Sequence, residues 1–224
     1  MNCLIIAAGH GSRLREVSAS KPLTPVAGRP LIAHVVESAA AGGATAFTVV
    51  TGHEAERVEA FLATLPFQIA PVRLADWDRP NGHSVLAGAE AIGGEHLLMM
   101  CDHLFDPVIV RRLLAAAPAP LTLAVDRDLG SPLIDMEDAT KVALGEDGAI
   151  DRIGKTLDRF DAIDTGLFRA GPELAQALRG VDSLSEGVQR LADTGAARTI
   201  DVTGARWLDV DDPKALALAE RLYG

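Results

Sequence analysis

The chain opens with a short apolar run that stops at a glycine-rich turn, and this junction constrains the fold more than any other stretch. Residues 4–7 read Leu-Ile-Ile-Ala and predict a buried strand. Gly9 and Gly11 follow, and because neither carries a Cβ, the backbone there can pass close to a ligand. Arg13 and Lys21 add positive charge nearby. The combination predicts a polyphosphate site at the end of the first strand.

Two common phosphate-binding loops do not fit this turn. The dinucleotide-binding fingerprint needs a third small residue where Leu14 stands, and an acid about twenty residues later. The Walker loop needs Gly-Lys-Ser or Gly-Lys-Thr, whereas Gly11 is followed by Ser12 and Arg13. An ordinary strand-turn would need the glycines but would leave Arg13 and Lys21 unexplained. The turn therefore predicts phosphate binding of another kind.

Strand-like and helix-like segments alternate through the first half of the chain, and shorter strands follow after residue 126. Alternation predicts an α/β fold, with a Rossmann-like mixed, mostly parallel sheet flanked by helices. Ligands of such sheets bind beyond the carboxyl ends of the strands. We expect a single domain over residues 1–224. The predicted strands are 4–7, 46–51, 67–74, 95–101, 141–144, 150–153, 165–168, 198–202 and 206–208, and the predicted helices are 30–41, 54–65, 83–92, 172–178, 184–192 and 213–222.

Charge and cysteine content exclude several classes of protein. The net charge is −10, whereas a nucleic-acid-binding protein needs a basic face, so we expect no nucleic-acid partner. Nucleotide binding remains compatible, because metal ions and a few local cations suffice. The sequence shows no signal-peptide pattern and no apolar run long enough to cross a bilayer. Cys3 and Cys101 lie in apolar runs and predict free thiols in a reducing compartment, hence a cytoplasmic protein.

Acidic side chains follow two of the predicted strands. Asp102 ends an apolar run, where a carboxylate is costly unless it is paired or bound to a metal. Asp209 and Asp211 lie two residues apart and point the same way in extended structure. Asp106 and Asp212 each precede a proline and suit helix N-caps better. The alternative is that all these acids only cap helices or face solvent.

Four other stretches carry polar side chains suited to substrates. Asn81 and Ser84 stand in a polar turn before a predicted helix, where they could contact a base or a phosphate or simply cap the helix. His103 is at best a neighbour of a metal site, since the histidines lack ligand-like spacing. Lys141 and Lys155 each end a short strand and could converge on a second phosphate, although lysines are usually only solvated. Further on, Asp164 and Thr165 offer polar groups suited to a polyol ring.

These motifs together resemble the nucleotidyltransferases of the sugar-nucleotide pyrophosphorylase type, whose pattern L-A-A-G-x-G-x-R-[LM], a gap, then K-P-L is similar to residues 6–14 and 21–23. The later motifs resemble one branch, inositol-1-phosphate cytidylyltransferase, which joins CTP and L-myo-inositol 1-phosphate to give CDP-inositol and pyrophosphate. The likeness runs over almost the whole chain. The later motifs are residues 81–84, 102–104, 139–142, 153–155, 164–168 and 207–211.

The resemblance implies a nucleotide-diphospho-sugar transferase fold, with a nucleotide-binding half at 1–125 and an acceptor-binding half at 126–224. It implies that Arg13 and Lys21 are catalytic and hold the nucleotide phosphates, and that Asp102 and Asp209 hold Mg²⁺, with Asp211 as the rival of Asp209. The remaining implied contacts are Ala8, Gly9, Gly11, Ser12, Asn81 and Ser84 with the nucleotide, and Lys141, Lys155, Asp164 and Thr165 with the acceptor.

Other substrates and partners stay open at this point. A different acceptor (a sugar 1-phosphate, phosphocholine or molybdopterin) with CTP, UTP or GTP is the second reading, and a non-enzymatic sensor on the same scaffold is the third. Bifunctional relatives carry a membrane-embedded phosphotransferase domain. Because the sequence ends at Gly224, we expect any such phosphotransferase to be a separate protein and this chain not to be embedded in a membrane.

Overall fold

A computed structural model describes the backbone of residues 1–224 and every side chain except that of Ser12. The strands are β1 (Asn2–Ala7), β2 (Pro25–Val26), β3 (Arg29–Pro30), β4 (Ala46–Thr51), β5 (Ile69–Arg73), β6 (His96–Met100), β7 (His103–Phe105), β8 (Leu121–Asp126), β9 (Lys141–Leu144), β10 (Ile150–Gly154), β11 (Ala162–Ala170), β12 (Ala197–Asp201) and β13 (Trp207–Asp209). The helices are α1 (Leu31–Gly42), α2 (Ala55–Leu62), α3 (Asn81–Ile92), α4 (Pro107–Ala115), α5 (Glu173–Leu178), α6 (Leu184–Ala192) and α7 (Pro213–Tyr223).

The central sheet joins both halves of the chain. Its order is β10-β9-β11-β6-β1-β4-β5, and β8 pairs with β11 and β12 on the side. In the first half β1 runs parallel to β4 and β6, and β4 runs parallel to β5. The long strand β11 is antiparallel to β6, β8 and β9 and so connects the halves. The predicted mixed sheet is confirmed, with its parallel pairs concentrated in the first half.

Side chains of β1 alternate between two apolar layers, as a strand with both faces covered requires. Cys3 and Ile5 are fully buried in the layer under α1 and α4, whereas Leu4 is buried in the layer under α3, α5 and α6. Helix α3 packs so closely on β1 that a Cβ at Gly88 would lie 2.3 Å from Leu4 Cδ1. Burial of each large apolar side chain contributes about 1.5–3 kcal/mol. The predicted helices on both faces of the sheet are therefore confirmed.

A small antiparallel ribbon lies beyond the end of β6 and pairs β7 with β13. The chain leaves β6 at Met100, and Cys101 N donates to Ile6 O at 3.1 Å, so this exit stays beside β1. On the far side of the ribbon, Asp212 caps α7 as predicted, since its carboxylate accepts from Ala215 N at 2.7 Å. Asp106 stands at the N-cap position of α4, but its carboxylate accepts from Arg206 N at 3.2 Å instead. The ribbon thereby brings the segment around residue 209 to the carboxyl end of the sheet.

Among the described residues, none of the helices combines the length and the apolar character needed to cross a bilayer.

Candidate active site

The glycine-rich turn after β1 is shaped to hold Lys21 against it. Gly11 has φ +61°, in the left-handed region, and a Cβ there would lie 2.3 Å from Lys21 Cβ. A residue with a side chain would therefore be unfavourable here for two reasons, the left-handed backbone conformation and the clash with Lys21. Gly9 is exposed, and a Cβ on it would meet open space, so its backbone is free to meet a ligand. The side chain of Ser12, predicted to contact the nucleotide, lies outside the described residues.

Lys21 and Asp102 form a nearly buried ion pair at the carboxyl ends of β1 and β6. Lys21 Nζ donates to Asp102 Oδ2, and the two side chains are 13% and 17% exposed. Burial opposes the charge on Lys21, but the carboxylates of Asp102 and Asp209 outweigh it and raise the lysine pKa well above its usual value. Burial likewise opposes the charge on Asp102, yet Lys21 and His103 hold its pKa well below its usual range. Both members are therefore charged at neutral pH.

Asp209 reaches Asp102 through the β7–β13 ribbon. It stands opposite His103 in the strand register, and Val210 N donates to Asp102 O at 2.9 Å. Among the described side chains its Oδ1 atom is buried without a hydrogen-bond partner. Burial raises the pKa of Asp209 to about 6, because the favourable charge of His103 only partly offsets it. An unpartnered buried carboxylate oxygen is costly and marks a place for a cationic ligand.

His103 neutralises the two carboxylates rather than completing a metal site. Its Nδ1 atom lies 2.8 Å from Asp102 Oδ1 and 3.8 Å from Asp209 Oδ1. Burial alone would lower the pKa of His103, but the two carboxylates raise it to about 9. The protonated ring stacks on Trp207 and lies so close to Gly166 that a Cβ there would be 2.5 Å from it. A protonated imidazole donates hydrogen bonds and offers no lone pair to a metal.

The residues present fit a hard divalent cation held by carboxylates. One ligand atom from each of Asp102, His103 and Asp209 lies within 4.8 Å of the others. With His103 protonated, the two carboxylates are left to act as ligands, and oxygen ligands of this kind suit Mg²⁺. Asp211, the rival of Asp209, turns instead to Arg13. We call Lys21, Asp102, His103 and Asp209 the buried cluster; the Asp209 side chain is 42% exposed, but its Oδ1 atom is buried.

A second set of charges lies at the mouth of the site. Arg13 Nη1 donates to Asp138 Oδ2 at 2.8 Å and to Asp211 Oδ2 at 2.5 Å, and Lys155 Nζ donates to Asp138 Oδ1. Arg13 and Lys155 are 53% and 56% exposed. The hydrogen bonds from these two cations hold the pKa of Asp138 well below its usual range. We call Arg13, Asp138, Lys155 and Asp211 the rim cluster.

A cavity of about 450 Å³ is lined by residues of both clusters. Asp164 lines it and has no ion-pair partner among the described residues; its Oδ1 atom accepts from Gly166 N at 2.7 Å, and burial raises its pKa to about 6. Thr165, predicted beside it as an acceptor contact, is fully buried and donates to Ala124 O at 2.8 Å. Other walls of the cavity are residues 132–135, Trp207, Lys214 and Leu218.

The remaining predicted residues fall in different places. Ala8 is buried directly before the glycine-rich turn. Asn81 lines the cavity, and its Oδ1 accepts from Leu184 N at 3.0 Å, so it joins two helices instead of capping α3. Ser84 is buried in the first turn of α3. Lys141 lies next to Lys155, because its Nζ donates to the Lys155 carbonyl at 2.9 Å. Sequence reasoning missed Asp138, whose only sequence signal is its place just before the motif at 139–142.

Comparisons with known proteins agree with this geometry. A family model described as the MobA-like NTP transferase domain matches residues 3–157. The bifunctional IPC transferase and DIPP synthase of Rubrobacter xylanophilus is 37% identical over 226 residues, which cover 97% of this chain and 51% of that protein. The CMP-5'-(3-aminopropyl)phosphonate synthase of Streptomyces rubellomurinus is 32% identical over 239 residues, covering 95% of this chain and 37% of that protein.

Similarity of structure extends over the whole chain. The inositol-1-phosphate CTP transferase from T. maritima superposes with a TM-score of 0.88 at 24% identity, and the match covers 100% of this chain and 96% of that one. The predicted nucleotide-diphospho-sugar transferase fold is thereby confirmed. The chain spans about half the length of the curated IPC transferase relatives that it matches.

Proposed function

The chain belongs to the family of MobA-like NTP transferase domains and is a nucleotidyltransferase; from this premise we propose that it is a Mg²⁺-dependent cytidylyltransferase. The proposed reaction joins CTP and L-myo-inositol 1-phosphate and gives CDP-inositol and pyrophosphate. The observation that carries the proposal is the meeting of an open glycine turn, Lys21 and the carboxylates of Asp102 and Asp209 at one end of the sheet. The choice of CTP and inositol rests on the likeness to an IPC transferase and to an inositol-1-phosphate CTP transferase.

The nucleotide phosphates would lie along the glycine-rich turn. Gly9 leaves its backbone open to them, and Arg13 offers a guanidinium that reaches out of the turn. Lys21 is charged and fixed in place by Asp102, so it presents a preorganised positive charge to the α-phosphate region. We assign Ala8, Gly9 and Gly11 to this phosphate site and Asn81 to another part of the nucleotide.

The acceptor would occupy the cavity with its phosphate toward Lys155. Lys141 is close behind and steadies the Lys155 backbone. On the opposite wall, Asp164 has a carboxyl group without a cation partner among the described residues and can accept from ring hydroxyls. Thr165 supports β11 rather than the acceptor, because its hydroxyl is used inside the sheet.

The proposed chemistry is an in-line displacement at the α-phosphorus. An oxygen of the acceptor phosphate forms the new P–O bond, the bond to the β-phosphate breaks, and pyrophosphate carries the electron pair away. The attacking oxygen is already anionic, so no general base is needed, and catalysis consists of positioning and charge neutralisation. Mg²⁺ held by Asp102 and Asp209 would supply charge neutralisation at the phosphates. His103 keeps these carboxylates oriented through its hydrogen bond to Asp102.

The test is pyrophosphate release from each of the four NTPs against a panel of phosphorylated alcohols, with and without Mg²⁺. We expect release with CTP and L-myo-inositol 1-phosphate, loss of release with EDTA, and CDP-inositol as the second product by mass spectrometry. Lys21→Met is the matched inactive control, because it removes the charge and keeps most of the side-chain volume. No release with this substrate pair would reject the substrate assignment.

A phosphorylated or phosphonate amine is the second candidate acceptor. Asp164 lines the cavity and has no ion-pair partner among the described residues, so the wall could receive an ammonium group. The similarity to a CMP-5'-(3-aminopropyl)phosphonate synthase supports keeping phosphocholine and aminophosphonates in the panel. Faster turnover with these acceptors than with inositol 1-phosphate would favour this candidate.

The setting of the reaction is part of the proposal. Cys3 and Cys101 are buried free thiols, and burial raises their pKa above the usual range. Unreactive thiols without a disulfide suit a reducing compartment, and we place the enzyme in the cytoplasm. A membrane phosphotransferase would consume CDP-inositol; co-purification of such an enzyme with this chain tests that partner.

A further inference from the structure

Asp138 stands between two cations that come from different parts of the site. Its Oδ2 atom accepts from Arg13 of the glycine-rich turn at 2.8 Å, and its Oδ1 atom accepts from Lys155 at the end of β10. One carboxylate thus joins residues 142 positions apart in the chain, and it lines the cavity. No part of the reaction proposed above needs this carboxylate.

The position of Asp138 is set by its own segment and not by the cations alone. Its N–H and that of Ala139 both donate to Asp135 O, at 3.2 and 2.8 Å, which fixes a tight turn. Leu133 packs on the apolar group beneath the glycine turn, and Ile134 and Met136 pack against the core under α1. The backbone of Asp138 is therefore fixed at the rim by packing, whereas its side chain is 30% exposed and its carboxylate contacts the two cations.

A carboxylate that bridges two cations occupies a place that suits an anionic phosphate oxygen. Arginine and lysine are the side chains that bind phosphates, and an anion on both of them must leave or shift before a phosphate takes its place. The inference rests on the proposed function, in which Arg13 binds the nucleotide phosphates and Lys155 binds the acceptor phosphate. Asp138 connects the two substrate sites through their cations.

We propose that Asp138 is a positioning residue that holds Arg13 and Lys155 in the empty enzyme and couples the binding of the two substrates. When the nucleotide phosphates bind Arg13, their negative charge repels the Asp138 carboxylate and turns it away from the rim, so that Lys155 is already free when the acceptor phosphate binds. Nucleotide binding therefore raises the affinity for the acceptor, and the coupling is reciprocal. The carboxylate keeps the rim closed to a lone phosphate until the nucleotide has bound.

The test compares Asp138→Asn with Asp135→Asn by calorimetry. Asp135 lies in the same turn and lines the same cavity, and its side chain accepts from Glu137 N, a role that asparagine keeps. Both variants remove one negative charge, but only Asp138→Asn removes the carboxylate that accepts from Arg13 and Lys155. Two affinities are measured: that of inositol 1-phosphate with and without the α,β-methylene analogue of CTP, and that of CTP with Mg²⁺ alone.

In the wild type and in Asp135→Asn, the CTP analogue should raise acceptor affinity by about fivefold or more, the lower end of usual coupling. In Asp138→Asn the empty enzyme should already bind the acceptor about fivefold more tightly, the analogue should add less than about twofold, and CTP should bind more tightly than to Asp135→Asn. Asp138→Glu should restore much of the coupling. An Asp138→Asn enzyme that binds both ligands like Asp135→Asn, or that binds the acceptor more weakly in both states, would overturn the inference.

Failure of the inference and failure of the proposed function give different results. If the wild type neither binds inositol 1-phosphate nor releases pyrophosphate with it, the acceptor assignment is wrong. The ratio of CTP affinities in the two variants still decides the role of Asp138, since Arg13 alone is involved there. If turnover is normal and this ratio is one, the inference is wrong and the proposed function stands.

Discussion

The buried cluster and the rim cluster contain the same kinds of charge, but they are built differently. Lys21 and Asp102 are 13% and 17% exposed, and the side chains around them close the pair off from solvent. Arg13 and Lys155 are 53% and 56% exposed, and each reaches its carboxylate from a separate loop. The difference lies in the solvent access of the lysine and arginine side chains, since the carboxylates do not divide in this way: Asp209 is 42% exposed, and Asp138 and Asp211 are 30% and 23% exposed.

Solvent access determines what each cluster can do. Breaking a buried pair leaves an uncompensated charge and is strongly destabilising, whereas exposed pairs contribute about 0–1 kcal/mol. The buried cluster is therefore a fixed frame, and under the proposed function it holds the catalytic charges in one geometry. The rim cluster is made of solvent-accessible contacts, which under the same proposal substrate phosphates replace at little cost.

The largest effect is expected for Asp102→Asn, which tests whether the buried cluster contributes to stability as well as to turnover. We expect turnover to fall by about 10³-fold, the upper range for loss of one preorganised charge-stabilising group. The free energy of unfolding should fall by about 3 kcal/mol, because Lys21 is left charged and nearly buried. Urea unfolding and pyrophosphate release measure the two effects. The double variant Lys21→Met with Asp102→Leu should regain stability and remain inactive; continued instability would show that the packing, not the pair, was lost.

Asp164 differs from both clusters, because its buried carboxyl group has no ion-pair partner among the described residues. Burial raises the pKa of Asp164 from 3.8 to about 6, so the folded protein binds its proton more tightly than the unfolded chain does. The stability from Asp164 is therefore greatest below pH 4 and is lost as the pH rises to about 6, by at most about 3 kcal/mol. Asp164→Asn should remove this loss. The measurement is urea unfolding at pH 4.5 and 7; because Asp209 has a similar pKa, only the difference between variant and wild type is informative, and equal pH profiles would reject the assignment.

Much of the first half was predictable because its strands are long apolar runs between helices of clear periodicity. The prediction of β1, β4 and β6 needs only local pattern, and the meeting of β1 and β6 follows from parallel topology. Strand β8 was missed although it is buried, because a short apolar run does not by itself distinguish strand from helix. Strand β7 was missed because three residues become a strand only through pairing with β13.

The candidate site divides in the same way. Asp102 was recognisable as an acid at the end of an apolar run, and Asp209 from its motif. The sequence did not reveal that Ser84 and Thr165 are buried, because this depends on which face of each element packs on its neighbours. Asp138 was invisible for a stronger reason: its partners lie 125 and 17 residues away, and only the path of the intervening loop brings them together.

Arg13→Met tests the exchangeable character of the rim at its nucleotide side. We expect kcat/KM for CTP to fall about 10- to 100-fold, as for loss of a hydrogen bond to a charged group. The free energy of unfolding should change by less than about 1 kcal/mol, because Arg13 is more than half exposed. Steady-state kinetics and urea unfolding provide the two numbers, and Arg15→Met, also in this turn but outside the rim cluster, is the control. A stability loss as large as that of Asp102→Asn would remove the distinction between the clusters.

The smallest effect is expected from salt, which should screen the exposed ion pairs of the rim cluster more than the Lys21–Asp102 pair. The Debye length is about 10 Å at 0.1 M salt and about 3 Å at 1 M, so exposed charges are screened over this range while buried pairs are screened much less. The stability difference between wild type and Asp138→Asn should be under about 1 kcal/mol at 0.1 M and vanish at 1 M. The difference between wild type and Asp102→Asn should survive. Urea unfolding of the three proteins at both salt concentrations decides this. If both differences vanish, water reaches Lys21 and Asp102 as freely as it reaches Arg13, and the frame is as exchangeable as the rim.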